Sequence, residues 1–206
     1  MFYRTDDNRH GLPHDPFKAI VSPRPIGWIS TRALNGDVNL SPYSFFNAVS
    51  DRPKLVMFSS AGMKDSASFA IESGEFVVNL ATRALASAMN RSSAPAPRGT
   101  SEFAIAGLTE TPCELVAAPR VGESPAALEC KVTEWFWPKG LDGAPSENVM
   151  VIGQVVGIHI DESILVDGMV DMALAQPLSR LGYLDYAVAD TVFQMVRPRR
   201  PDGTDA

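Results

Sequence analysis

Short runs of β-branched and aromatic residues follow one another along this chain with too few residues between them for the crossovers that a parallel sheet requires. Pro25–Thr31, Asn39–Asn47, Lys54–Ser60, Glu75–Leu80, Leu115–Ala118, Ala127–Trp137 and Val149–Ile160 each have the composition of a strand. A parallel pair needs a connection of about a dozen residues or more, usually a helix. Here long crossover helices are scarce. The pattern predicts a mainly β chain built on a closed antiparallel sheet, with a few short helices outside it. Asn35-Gly36 predicts a tight turn that makes a hairpin of the first two runs. Gly153 and Gly157 interrupt the longest run and predict bulges or bends where the sheet curves.

Two segments read as helices. Asp65–Gly74 has Asp65 at the N-cap and Gly74 where a C′ glycine belongs. Thr82–Arg91 carries Leu85, Ala88 and Met89 at helical spacing, with Thr82 as cap. Ser92–Thr100 is a loop and Pro138–Ser146 a turn-rich connection. Residues 1–206 form one domain, with an irregular arm over 1–15 and a loose polar tail over 197–206.

Bulk properties exclude several functions. The net charge of −6 argues against a nucleic-acid partner, which needs basic surface to neutralise phosphates. Cys113 and Cys130 read as reduced thiols, because a secreted scaffold would carry more cysteines. There is no apolar leader and no run long enough to span a membrane, so the expected compartment is the cytoplasm. His10 and His14 stand near Asp15, but Gly11 and Pro13 break any helix that would align them on a metal. His159 alternates with Ile158 and Ile160 and reads as a surface histidine on the outer face of a strand. No metal ligand is assigned.

Phosphate-loop, dinucleotide, hydrolase-elbow and zincin motifs are all missing. In their place, small hydroxyl residues gather at strand ends in the first third of the chain: Ser30, Thr31, Ser41, Ser44, Ser59, Ser60 and Ser66. Lys64 and Asp65 stand at a helix start just after Ser59-Ser60. A helix N-terminus offers unpaired N–H groups and a partial positive charge, so a lysine and hydroxyls beside it can hold a phosphate; the alternative is a plain cap. Trp28, Tyr43, Phe45 and Phe46 crowd the same region, either to stack on a flat ring or to pack the core.

The block Ser22-Pro-Arg-Pro-Ile-Gly-Trp-Ile-Ser-Thr31, then Gly36, then Asn39-Leu-Ser-Pro-Tyr-Ser-Phe-Phe-Asn-Ala-Val-Ser50 and Pro53, resembles the flavin reductase-like family of FMN-binding split barrels, in particular its flavoredoxin-like branch. The likeness continues through Lys64-Asp65-Ser66, Gly74–Asn79, Ser101-Glu102-Phe103, Val151–Val156, Pro177–Gly182 and Tyr186. It implies a six-stranded antiparallel split barrel of Greek-key type and a homodimer with FMN at the subunit interface. Ser41, Pro42, Tyr43, Ser44 and Phe45 match the strand whose backbone meets the flavin ring. Ser30 and Thr31 match a strand end near the ribityl chain or phosphate. Ser59, Ser60, Lys64, Asp65 and Ser66 match the phosphate side, with Trp28 and Arg180 as looser matches. The activity implied is NAD(P)H:FMN reduction, with hydride passing from the nicotinamide to flavin N5 and no catalytic side chain. A flavoredoxin-like electron carrier and a non-catalytic flavin-binding barrel are the alternatives. A partner monooxygenase or another electron-accepting protein would take the electrons. Arg52-Pro53-Lys54 stands where many members have Pro-Pro, and the histidine many reductases carry in a later strand is absent from Ile152–Val155.

Overall fold

The computed structural model describes residues 1–97 and 99–196, so the tail at 197–206 lies outside the described residues. A short helix α1 (Phe17–Ile20) and β1 (Arg24–Pro25) lead into four strands, β2 (Gly27–Arg32), β3 (Val38–Tyr43), β4 (Phe46–Asp51) and β5 (Lys54–Ala61). Helix α2 (Asp65–Ser73) and β6 (Glu75–Leu80) follow, then the short helices α3 (Ala86–Arg91) and α4 (Glu102–Ala106). β7 (Glu110–Thr111) pairs with β8 (Arg120–Val121), and the long strands β9 (Ala126–Phe136) and β10 (Asn148–Ile160) form the back of the molecule. A small hairpin of β11 (Leu165–Val166) and β12 (Met169–Val170) precedes α5 (Met172–Ala175). β13 (Leu178–Arg180) and β14 (Tyr186–Val188) join β1 in a separate three-stranded sheet.

The main sheet has seven antiparallel strands in the order β3-β2-β6-β9-β10-β5-β4. β3 and β4 therefore lie at opposite ends of the sheet, yet only Ser44 and Phe45 separate them in sequence. The sheet must curl until its two ends meet, and the β4–β5 ladder runs on into the passage, where the Ser59 N–H donates to the Phe45 carbonyl at 2.8 Å. Inside the curl, Ile29, Phe58, Phe76, Val78, Cys130 and Val151 make one buried cluster. Trp28, Val38, Leu40, Met89 and Phe103 make a second, where α3 and α4 cover the other face of the sheet. β2 is buried along both faces, so it shows no apolar–polar alternation.

The hairpin at Asn35-Gly36 is present as a three-residue loop. Gly36 N–H bonds to the Ala33 carbonyl at 2.9 Å, and Ala33 N–H to the Asp37 carbonyl at 2.8 Å. Gly36 takes a φ of +95°, the left-handed position such a loop needs. The β9–β10 register shifts between Ile152 and Gly153 and again between Val155 and Gly157. A Cβ on Gly153 would lie 2.4 Å from the Phe76 ring, so the strand bends where only glycine fits.

Four sequence expectations change. Lys64, not Asp65, is the N-cap of α2, and no side chain caps that end. Thr82 is bridged to Pro177 with Arg83 N–H bonded to Gln176, which holds it outside the helix; α3 begins at Ala86. Leu115–Ala118 is not a strand, because its backbone is spent on buried carboxylates: Glu114 and Leu115 N–H go to Glu129, Ala117 and Ala118 N–H to Glu75. His159 is not turned outward but half-buried, 2.6 Å from Glu129, while Ile158 and Ile160 face solvent. Both cysteines are free, and no described helix is long and apolar enough to cross a membrane.

Candidate functional site

Where the chain passes from β3 to β4 it leaves β2 and joins β5, and the seam opens a groove on the surface. One part, about 330 Å³, is lined by Lys18, Ser41–Phe45, Ser59, Ala61, Lys64, Ser93 and Asn148. A second part, about 490 Å³, is lined by Asp15, Lys18, Arg24, Asn90, Arg180, Tyr183 and Tyr186 among others. Both share Lys18, Pro42, Ser44 and Ser93, so they form one continuous depression.

At one end stands the start of α2. Lys64 sits there in extended conformation, with φ −76° and ψ 171°, and exposed. The Lys64 side chain makes no capping bond there, and a helix N-terminus carries a partial positive charge that favours an anion. The Ser59 hydroxyl, half-buried, accepts from the Asn148 side chain at 3.0 Å. Along the middle run the backbone and side chains of Ser41 to Phe45. Lys18 lies 6.0 Å from the centre of the Phe45 ring.

The other end is cationic. Arg24 is buried and donates to the carbonyls of Lys18, Val21 and Leu181, while its Nε has no partner. Burial, with the neighbouring charge of Arg180, lowers the pKa of Arg24. Arg180 stacks over Tyr186 at 4.5 Å and bonds to the Tyr183 carbonyl. Among the described residues, none of Lys18, Arg24, Arg180 and Lys64 takes part in an ion pair. Asp15 lines the same part and feels the charge of Lys18, but the three cations there outnumber it, so this end favours an anion.

The structure brings together Ser41, Pro42, Tyr43, Ser44, Phe45, Ser59 and Lys64, and sets Arg180 in the adjoining part. Tyr43 contributes its backbone, since its ring turns inward and lies 5.1 Å from Phe58. Burial raises its phenol pKa, partly offset by hydrogen bonds with Ser66, Ser60 and Ser41. Ser60 and Ser66 are buried behind the wall, bonded to the Gly62 carbonyl and to Asn39. Asp65 is half-buried in the first turn of α2. Thr31 is fully buried opposite Asn39, and its hydroxyl has no partner. Trp28 and Ser30 are not brought to the groove. The Trp28 indole donates to Ser92 at 2.9 Å, and Ser30 donates to the Pro119 carbonyl at 2.6 Å, both fully buried on the covered face of β2.

Sequence reasoning missed Lys18, Arg24, Ser93 and Asn148. Arg24 lies inside the recognised block, but Lys18 and Asn148 carry no local signal. They meet only because the β3–β4 passage and the start of β10 converge. The donor set suits an elongated ligand with a phosphate at one end and a flat polar ring beyond it: hydroxyls, a lysine and a helix N-terminus, then a strand backbone flanked by Pro42 and Phe45.

Comparison with known proteins identifies the family and the fold. Residues 21–175 match the model of the flavin reductase like domain. An uncharacterized protein of Halalkalibacterium halodurans is 37% identical over 183 residues, covering 86% of this chain and 87% of its own length. Nitrilotriacetate monooxygenase component B from Bacillus cereus superposes with a TM-score of 0.86 at 29% identity, covering 95% of this chain and 98% of that one. The 2-nitrobenzoate 2-nitroreductase of Pseudomonas fluorescens gives 0.83 at 26% identity, covering 96% of each chain. Flavoredoxin of Desulfovibrio vulgaris shares the fold, with a TM-score of 0.73 at 22% identity over 89% of this chain and 94% of that one.

Proposed function

The chain belongs to the flavin reductase-like family, and on that footing we propose that its groove holds FMN and that the protein reduces the flavin with NAD(P)H. The supporting observation is the meeting of Ser41–Phe45, Ser59 and Lys64 at an uncapped helix start. In this reading Lys64, Ser59 and the first N–H groups of α2 hold the phosphate. Ser60, Asp65, Ser66 and Thr31 build the wall behind it. The backbone from Ser41 to Phe45 lies along the polar edge of the ring and stabilises the charge of the reduced form. Trp28 and Ser30 shape β2 from behind.

When bound, the flavin supplies a hydride acceptor and an electron donor. The chain binds, orients and shields the reactants, and hydride transfer asks no acid or nucleophile of it. The cationic part of the groove, with Lys18, Arg24 and Arg180, suits the charged co-substrate. The relative from Bacillus cereus is a monooxygenase component, which supports a partner monooxygenase as the electron acceptor. A homodimer fits the exposed apolar row Val156, Ile158 and Ile160 on β10.

The test is an anaerobic absorbance titration of the purified protein with FMN and then NADH or NADPH. Bleaching of the flavin band at catalytic rates supports the reductase. Tight flavin retention through gel filtration, with no response to either nucleotide, would instead make it a carrier. Absence of flavin affinity overturns the reading.

A further inference from the structure

One cluster of metal-ligating side chains among the described residues lies far from the groove. Cys113, in the segment between β7 and β8, Glu129 in β9 and His159 in β10 place a thiol, a carboxylate oxygen and a ring nitrogen within 4.8 Å of one another. His159 is eleven residues along β10 from Asn148 at the groove, or about 36 Å of extended chain. The sequence assigns no metal here because the three ligands are widely separated and only the tertiary fold joins them.

We propose that Cys113, Glu129 and His159 bind one divalent cation of the Zn²⁺ class, with a fourth position open to an oxygen ligand from solvent. A thiolate, an imidazole and a carboxylate together are a donor set that Zn²⁺ favours, and three protein ligands leave one coordination position free. Glu129 is already oriented for the task. It is 1% exposed, and its two oxygens are held by the N–H groups of Glu114 at 3.0 Å and Leu115 at 2.6 Å. Such second contacts fix a ligating carboxylate. His159 Nε2 lies 2.6 Å from Glu129 Oε1. The cation takes the place of the proton between them: Nε2 gives that proton to solvent, Nδ1 carries the proton of the neutral ring, and the two atoms separate by under about an ångström to admit the metal. The Cys113 thiol gives its proton to solvent as its sulfur bonds to the metal. Two negative ligands then balance the 2+ charge and no net charge is buried.

A second observation points to the same place. A polar cavity of about 430 Å³, lined by Arg120, Ser124, Ile158, Ile160 and Asp161, reaches His159. Arg120, one of its lining residues, has a buried Nε without a partner. A hydroxide or carboxylate oxygen on the fourth position would be an acceptor for this orphan donor. Binding would clamp residues 112–119 to the sheet beneath them.

The experiment uses full-length protein freed of metal with a chelator and titrated with Co²⁺, then with Zn²⁺ in competition. One equivalent of Co²⁺ per chain is expected, with a thiolate-to-cobalt charge-transfer band that Zn²⁺ abolishes. Cys113→Ser should lose the band, and both Cys113→Ser and His159→Gln should bind Zn²⁺ at least tenfold more weakly. Metal-free thermal unfolding of each variant is compared with metal-free wild type to establish that it folds, and Cys113→Ala replaces a variant that does not. A wild-type spectrum without the charge-transfer band overturns the proposal. So does Zn²⁺ binding that survives unchanged in both variants, as it would on His10 and His14. FMN affinity is measured in parallel, and its outcome bears only on the groove.

Discussion

The side-chain amide of Asn148 donates a 3.0 Å hydrogen bond to the hydroxyl of Ser59, tying the first residue of β10 to β5 beside the free end of α2. This contact aims a hydroxyl into the groove. Asn148→Ala should weaken FMN by about 1 kcal/mol, roughly fivefold, through the loss of one neutral hydrogen bond. Flavin fluorescence titration checks this, and an unchanged affinity would place the phosphate elsewhere.

Lys64 carries the charged part of the same end. Lys64→Ala should cost about 1–3 kcal/mol of FMN affinity. Affinity for riboflavin, which lacks the phosphate, should stay as in wild type. Equal losses for both ligands would remove Lys64 from the phosphate site. In wild type, added salt should weaken FMN more than riboflavin.

Two glycines separate packing from conformation. A Cβ on Gly27 would lie 2.5 Å from the Phe46 ring, next to the β3–β4 passage. Gly27→Ala should destabilise the protein by about 1–3 kcal/mol through overpacking, and should weaken flavin binding as Phe46 moves. A Cβ on Gly36 meets nothing within 4 Å, but φ is +95°. Gly36→Val should therefore lower the melting temperature through backbone strain of about 1–2 kcal/mol and leave flavin affinity alone. Melting curves and titrations on both variants test the contrast.

Burial raises the carboxyl pKa of Glu102, although the Leu40 N–H, bonded to it at 3.0 Å, opposes the shift. A carboxyl raised in the folded state binds its proton more tightly there than in the unfolded chain. Stability is then lost as pH rises from the unfolded value near 4.5 through the raised folded value. Glu102→Gln keeps an acceptor for Leu40 and removes the charge. Its stability relative to wild type should be lowest at pH 4 and should rise towards pH 7, read from urea midpoints. A difference independent of pH would show that Glu102 is not strained by its burial.

The architecture was legible because its signals are local. Strand composition, short links, Gly74 at the end of α2 and the bulging glycines of β10 report backbone preferences of a few neighbouring residues. Leu115–Ala118 misled because its backbone answers to Glu75 and Glu129, whose positions depend on strand pairing far along the chain. Thr82 misled for the same reason through Pro177.

By itself the sequence determined the antiparallel sheet of short-linked strands and the pairing of Lys64 with a helix start. Each follows from residues close in the chain. Only the tertiary structure decided that Ser59 meets Asn148, that Lys18 and Arg24 join Arg180, and that Ser30 and Trp28 turn away from the groove. Both faces of β2 are buried, so its residues carry no alternation from which the groove side could be read. Closing the sheet through Ser44 and Phe45 sets that side, and it depends on hydrogen bonds between strands far apart in sequence.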